Sequence, residues 1–466
     1  MLRMAGPAFQ PSQSSSLQFQ ATSSHLRSVK GALLDIGGEP TKGSAVLQRL
    51  LDLGQTPSQR EVVSEILAVE LRTWRENPRH ATVVISFLAR HRLARTAIEV
   101  LRCMLESCVE VNVFHFSAAI TACEKGCEWQ LALRLLDSMP DTRVTPNEIS
   151  YSAAISACEK GGQWQHSLAL LSAMPEMSVA PNQLSYSAAI SSCAKVGRWQ
   201  VALGLLRSMP EKRVMPNKIS YSAAISACEQ VGKWHLALSL LTTIRDRTIA
   251  GDVISYNAAI SACEKGGQWH LALSLLSSMP DMMVTPNEIS YSAAISSCEK
   301  AGEWQFALSL LRTMPDMRAV PNEVSYSAAI SACSRGGQWQ LALCLLASMS
   351  DRKVIPNEIS YNAAISACAN VGQWYWVLSL LSSMCHRRLV QSDISYNAAI
   401  TGCEKGSQWQ LALGLLSSMS DLRLVPDEIS YSYAVYATTA RHHLLQWRNA
   451  GVFCTVPVVI HVRNSR

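Results

Sequence analysis

The stretch PNEISYSAAISACEKGGQWQ, residues 146–165, gathers most of the side-chain types in this chain that could do chemistry. It holds an amide at Asn147, a hydroxyl at Ser152, a thiol at Cys158, the neighbouring charges Glu159 and Lys160, and an indole at Trp164. Near copies follow at one fixed spacing: Phe116, Tyr151, Tyr186, Tyr221, Tyr256, Tyr291, Tyr326, Tyr361, Tyr396 and Tyr431 are each 35 residues apart. Whatever one copy does is therefore done many times.

Covalent and metal chemistry are poorly served by these residues. Nine of the 15 cysteines share one repeat position, Cys123, Cys158, Cys193, Cys228, Cys263, Cys298, Cys333, Cys368 and Cys403. Helices that carry them stack about 8–10 Å apart, beyond the roughly 7 Å Cα separation a disulfide tolerates, so they read as core thiols in a reducing compartment. Cys123 and Cys127 form the one close pair, with no second pair to complete a zinc site. His442 and His443 are isolated, and Glu159–Lys160 reads as a wet helix end. No Gly-rich phosphate loop, G-x-S-x-G or HExxH occurs. No cofactor is expected. What remains is hydrogen bonding: Ser, Asn and Asp are short side chains that supply donors and acceptors.

The elements that must hold these groups follow from the periodicity. Tyr151, Ala154, Ile155 and Cys158 fall at i, i+3, i+4 and i+7, one face of a helix A that Gly161 and Gly162 end. Trp164, Leu168 and Leu171, extended by Leu170 and Met174, mark a helix B that Pro175 closes. Helices of about 12 residues are marginal alone, so stability must come from stacking pair on pair. The fold class is all-α, an α-solenoid. Nine full units run from 113–147 to 393–427, a half unit starts at Glu428, and 78–112 is a worn unit with Ile85, Ala97 and Met104 in register. Ala153 and Ala157 let a neighbouring helix approach closely. The tryptophan opening each helix B, Trp129, Trp164 and their successors to Trp409, is expected in the core between helix pairs.

Bulk properties bound the rest. The 466 residues are 48% hydrophobic and 16% charged, a globular composition. The net charge of +6 lies in the flanks, because acidic and basic residues balance between 113 and 427. A broad basic footprint is missing. No run approaches the roughly 18 apolar residues of a membrane span, and GVFCTVPVVIHV is short and broken by Pro457, so no membrane partner is expected. The first acidic residue is Asp35, preceded by Arg3, Arg27, Lys30 and many serines, as in an organelle transit peptide or a disordered arm over 1–60. Residues 61–112 then hold N-terminal helices with the worn unit, and 428–466 hold the half unit and a tail.

The 35-residue period, the ISYSAAI or ISYNAAI opening and the P-N or P-D closing resemble the pentatricopeptide repeat family over roughly 78–460. The resemblance implies a right-handed superhelix that binds single-stranded RNA, one base per unit. In that family the fifth and last residues of a unit meet the base edge. The fifth residues here are Ser117, Ser152, Ser187, Ser222, Asn257, Ser292, Ser327, Asn362 and Asn397. The matching last residues are Asn147, Asn182, Asn217, Asp252, Asn287, Asn322, Asn357, Ser392 and Asp427. The second residue packs on the base plane: Ile149, Leu184, Ile219, Ile254, Ile289, Val324, Ile359 and Ile394, with Phe114 replacing the aliphatic in the first unit. Lys125, Lys160, Lys195, Lys265, Lys300, Arg335 and Lys405, near the end of helix A, are placed to reach phosphates. The family's pairing rules imply an A-rich target, A-A-A-G-C-A-A-C-U.

The residues themselves leave a plainer alternative, in which the serines are solvated and Asn or Asp after proline is a helix N-cap. Two function classes compete accordingly. One is an organellar RNA-binding protein, plastid before mitochondrion with cytoplasm as the alternative, which acts as a monomer in RNA processing, stability, splicing or translation and meets protein partners there. The other is a protein-interaction scaffold. A catalytic role is not expected, since no zinc-deaminase pattern follows the array.

Overall fold

The computed structural model describes residues 71–421 apart from 108 and 248–250, together with Leu424, Pro426 and Ser430. The expectations for 1–60 and for the tail beyond Ser430 lie outside the described residues. The chain divides into two compact units, one ending at Val111 and the other beginning at Asn112.

In the first unit, α1 (Leu71–Glu76), α2 (Arg79–Arg90) and α3 (Ala94–Glu106) pack in sequence. Residues 78–112 keep the repeat layout despite their worn sequence: α2 and α3 lie 70 residues, two periods, before the Glu148–Lys160 and Trp164–Glu176 helices, to within one residue at every end. Ile85, Ala97 and Met104 are fully buried.

Among its described residues the second unit holds nine helix pairs. The first three are α4/α5 (Val113–Gly126, Trp129–Ser138), α6/α7 (Glu148–Lys160, Trp164–Glu176) and α8/α9 (Gln183–Lys195, Trp199–Glu211). Next come α10/α11 (Lys218–Gln230, Trp234–Asp246), α12/α13 (Val253–Lys265, Trp269–Ser278) and α14/α15 (Glu288–Ala301, Trp304–Thr313). The last are α16/α17 (Glu323–Arg335, Trp339–Asp351), α18/α19 (Glu358–Asn370, Trp374–His386) and α20/α21 (Asp393–Lys405, Trp409–Asp421). Within the array each A helix packs on its neighbouring A helices, on its own B helix and, from α6 onward, on the preceding B helix. The array is an all-α solenoid.

The reason lies in the A helix. Tyr151, Ala153, Ala154, Ile155, Ala157 and Cys158 are all buried, so α6 is covered on most of its circumference. The alanines let flanking A helices close on it, as their small side chains suggested. The turns are equally regular. Gly162 takes φ +69°, and Gln163 N donates to Cys158 O at 2.9 Å, closing the A helix in the Schellman manner. The B helix ends by the same device at Ser178, φ +59°, with Val179 N donating to Met174 O at 2.9 Å. Pro175 therefore does not stop α7 but occupies its last turn. In the units with Pro140 and Pro280 the proline opens a short 3-10 turn instead.

Candidate nucleic-acid interface

The last residue of each unit begins the next A helix. Asn147 Oδ1 accepts from Ser150 N at 2.9 Å and from the Ser150 hydroxyl at 2.9 Å, a side-chain N-cap. Asn182, Asn217, Asp252, Asn287, Asn322 and Asn357 cap their helices in the same way, at 2.8–3.0 Å from the backbone N–H three residues on. The plainer reading of these residues is thus correct as far as it goes.

The capping oxygen is also where the fifth residue of the unit arrives. Ser152 Oγ reaches Asn182 Oδ1 at 3.3 Å, Ser222 reaches Asp252 at 3.3 Å, and Asn257 Nδ2 reaches Asn287 Oδ1 at 3.1 Å. Ser117, Ser187 and Ser327 meet Asn147, Asn217 and Asn357 at 3.5 Å. Six pairs separated by 30 residues are therefore in contact. Ser292 Oγ is buried with no hydrogen-bond partner opposite Asn322. Asn362 accepts from Ser395 at 2.6 Å and Asn397 from Ser430 at 2.5 Å, while Ser392 lies 3.3 Å from Ser395. Asp427 lies outside the described residues.

Burial differs from the sequence expectation. The fifth residues from Ser117 to Ser327 are only 4–9% exposed, wedged between consecutive A helices rather than standing off the packed face. Asn362 and Asn397 are half-buried. The second residues are the opposite: Phe114, Ile149, Leu184, Ile219, Ile254, Ile289, Val324, Ile359 and Ile394 are 48–65% exposed. Nine large apolar side chains thus stand in water at one repeat position, each one helical turn from a polar pair.

Capping fixes what that pair can offer. An N–H can donate only to oxygen, so Oδ1 points inward and Asn147 or Asn217 is left with its Nδ2 donors free to face outward. Asp252, held through Oδ1 at 2.9 Å from Ser255 N, is left with an acceptor, Oδ2. In one unit the outward donor already has a partner, since Asn182 Nδ2 donates to the Glu148 carboxylate.

The basic residues are engaged along the array. Lys160 Nζ lies 2.8 Å from Glu124, Lys195 3.2 Å from Glu159, Lys265 3.4 Å from Glu229, Lys300 2.9 Å from Glu264 and Arg335 3.6 Å from Glu299. Where Ala369 replaces the acid, Lys405 donates instead to Asn370 O at 3.2 Å. Lys125, at the end of α4, is half-buried. Burial pushes the Glu229 and Glu299 carboxyls above their ordinary range, against the opposing pull of the cations. Glu–Lys is therefore not simply a wet end. It is a ladder between units, readable only at a spacing of 36.

The other rows do not form a site. The nine repeat cysteines are buried and free, and burial raises most of their thiols to about 11 and Cys123 to about 12. The nine tryptophans are half-buried rather than core. Trp129 packs against Gly161 at the end of the next A helix, where a Cβ would come within 2.3 Å of the indole. Where valine takes the glycine's place, as at Val196, Trp164 is covered by the Arg198 guanidinium at 5.2 Å. Among the described residues no cluster of His, Cys, Asp and Glu could hold a metal, and no helix is long and apolar enough to cross a membrane.

Family models match along most of this region. The pentacotripeptide-repeat region of PRORP matches 75–254, the PPR repeat family 251–300 and 321–370, and the PPR repeat 289–318, 359–389 and 394–424. No curated protein matches the sequence. Among solved structures, pentatricopeptide repeat protein PPR10 from maize is similar at 16% identity and TM-score 0.50, over 91% of this chain and 69% of that one. PPR10 in complex with an 18-nt psaJ RNA element is similar at 15% identity and TM-score 0.60, with the same coverage. Repeat models matched between 75 and 424, over a two-helix unit that recurs every 35 residues, identify the chain as a member of the pentatricopeptide repeat family.

Proposed function

We infer that the array binds single-stranded RNA along the row of exposed second residues, one base per unit, and has no chemistry of its own. The observation that carries this is the row itself: apolar side chains 48–65% exposed, each beside a polar pair whose outward atoms are fixed by a helix cap. An aliphatic surface covers a base plane, while the pair reads its edge. The similarity to a PPR10 complex with RNA supports the same reading.

Donor and acceptor polarity supports the base assignments. An outward Asn donor suits the ring acceptors of adenine (N1) and cytosine (N3), and an outward Asp acceptor suits the ring N–H of guanine and uracil. Ser with Asn then takes adenine, Ser222 with Asp252 guanine, Asn257 with Asn287 cytosine, and Asn397 with Asp427 uracil. The target in unit order is A-A-A-G-C-A-A-C-U. The Lys ladder contributes phosphate contacts by sharing each cation with its Glu, because exposed ion pairs contribute only about 0–1 kcal/mol and yield readily. We place this binding in an organelle, on the strength of the Arg- and Ser-bearing, acid-free start before Asp35.

A second reading, a protein-docking scaffold, has its own observation. Phe306, Leu341, Trp376 and Leu411 are exposed at one position of four successive B helices, with Tyr375 65% exposed beside them. This row lies on the B helices, so it does not compete with the A-helix face for RNA.

Binding of the full chain to RNA containing AAAGCAACU, against a scrambled RNA and DNA of the same sequence at physiological salt, tests the proposal. Preference for the first is expected. Equal binding to all three, or none, overturns base reading and brings the scaffold forward.

A further inference from the structure

The residues so far assigned to base reading do not act alone. The third residue of every following A helix is a buried hydroxyl, Ser150, Ser185, Ser220, Ser255, Ser290, Ser325, Ser360, Ser395 or Ser430, none more than 1% exposed. In six units it sits against the fifth residue of the unit before. Ser150 lies 2.9 Å from Ser117, Ser220 2.9 Å from Ser187 and Ser255 2.6 Å from Ser222. Ser290, Ser395 and Ser430 donate to the Oδ1 of Asn257, Asn362 and Asn397 at 2.5, 2.6 and 2.5 Å.

We propose that this third-position serine is a specificity-determining residue, which sets whether the fifth residue of the preceding unit offers the base a donor or an acceptor. The inference rests on the RNA-reading proposal above. A hydroxyl has one proton. Ser150 and Ser255 spend theirs on the cap oxygens of Asn147 and Asp252, at 2.9 and 2.6 Å. They are then placed to accept from Ser117 and Ser222. Ser222 has Lys218 O at 2.7 Å as a further acceptor for its one proton, and with that proton spent inside the fold its lone pairs are what it offers the groove. Beside an Asn donor, an acceptor matches the N6–H and N1 of adenine; beside an Asp acceptor, it matches the N2–H and N1–H of guanine. When the fifth residue is Asn, the same serine donates to its Oδ1, for Ser290 at 2.5 Å against 3.0 Å for the cap oxygen of Asn287, turning that oxygen inward. Asn257 Nδ2 gives one proton to Asn287 Oδ1 at 3.1 Å and has its second for the base. Asn257 and Asn287 then present two donors, matching the O2 and N3 acceptors of cytosine. The serine is a positioning residue that never touches RNA.

Three units arrange it otherwise. Ser185, Ser325 and Ser360 donate to the backbone oxygens of Asn182, Asn322 and Asn357 at 2.8–2.9 Å. Ser292 is correspondingly the fifth residue left without a partner.

The test uses the full chain and AAAGCAACU with its fifth nucleotide as C or A. Wild type should prefer C. In Ser290→Ala the Asn257 amide is free to turn, its oxygen beside the Asn287 donor now suits adenine, and the C-over-A preference should fall by about tenfold. Discrimination at the fourth nucleotide, read by Ser222 and Asp252, should be unchanged. Ser290→Thr, which keeps the hydroxyl, should restore the preference. Ser325→Ala, whose hydroxyl does not touch Ser292, should leave the sixth nucleotide's preference as it was. Ser395→Ala, acting on Asn362 at the eighth nucleotide, repeats the test should Ser290→Ala fold poorly. A preserved C-over-A preference in Ser290→Ala and an unchanged eighth position in Ser395→Ala overturn this inference and leave the RNA reading intact. No base preference in wild type overturns both.

Discussion

Lys160 Nζ lies 2.8 Å from Glu124 Oε1, one period and one residue earlier in the chain. Repeated four more times, this contact ties neighbouring units at five of the eight joints along the A helices and occupies cations that a nucleic-acid strand would use. The array is consequently neutral in detail as well as in sum, which predicts a shallow salt dependence of RNA binding. Replacing Glu124, Glu159, Glu229, Glu264 and Glu299 together by Gln should tighten binding and steepen the log–log salt slope by up to about 0.7 for each freed cation. Titrations at several salt concentrations check it, and an unchanged slope would mean that the cations do not reach phosphate.

The ladder should add little to stability. Burial holds the Glu229 carboxyl above its ordinary 4.5 despite Lys265. A carboxyl that binds its proton more tightly in the folded chain makes ionisation unfavourable to folding. Wild type should therefore lose stability relative to Glu229→Gln as pH rises from about 4.5 through the folded-state value, and the variant should be at least as stable at pH 7. Urea midpoints at pH 4 and pH 7 decide the matter; a clearly less stable variant at pH 7 would show that the ion pair outweighs burial.

Under the proposed reading Asn217 joins a letter to a cap. Asn217→Ala removes the acceptor for Ser220 N at 2.9 Å and should cost about 1 kcal/mol of stability as well as binding. Asn217→Asp keeps the capping oxygen, so its urea midpoint should be unchanged while preference at the third nucleotide moves from A to G. Loss of stability in the Asp variant would contradict the cap geometry.

Ile219 separates binding from folding. It is 48% exposed and covers no core, so Ile219→Ala should leave the melting temperature nearly unchanged. Affinity for the matched RNA should fall by about 1 kcal/mol, as for loss of one base-stacking surface. A melting loss with no binding loss would place Ile219 in the fold rather than in the interface.

The repeat cysteines report on core integrity. Burial raises Cys158, Cys193, Cys228, Cys263, Cys298, Cys333, Cys368 and Cys403 to about 11, so their thiols stay protonated and covered at pH 8. A thiol reagent should label exposed Cys127, Cys344 and Cys385 in the native chain and the buried set only in denaturant. Mass spectrometry after native labelling counts them directly.

The helices were legible in the sequence because the 35-residue register is unbroken, each helix carries apolar residues at helical spacing, and most A helices have glycine at the end. Even the worn unit at 78–112 betrayed itself through Ile85, Ala97 and Met104. The exposure of Ile149 and its equivalents was also consistent with the pattern. The burial of Ser152 was not legible, because a small hydroxyl beside an alanine looks the same whether it faces water or a neighbouring helix. Ser150 escaped notice for the same reason: it lies within the ISY run and acquires meaning only from a partner 33 residues earlier. Trp164 was misplaced because an indole at a helix start is equally suited to a core and to a half-covered seam, as Trp129 shows against Gly161 and Trp164 under Arg198.

The cap shared by Asn147, Ser150 and Ser117 staggers two kinds of boundary. Folding divides the chain between one B helix and the next A helix, but under the proposed reading a letter is spelled across that join, with its last strokes in the helix that follows. A segment exchanged at helix boundaries would carry its fold intact and leave part of its reading behind. Rearrangements that preserve meaning must break the chain inside an A helix, beyond its third residue and before its fifth.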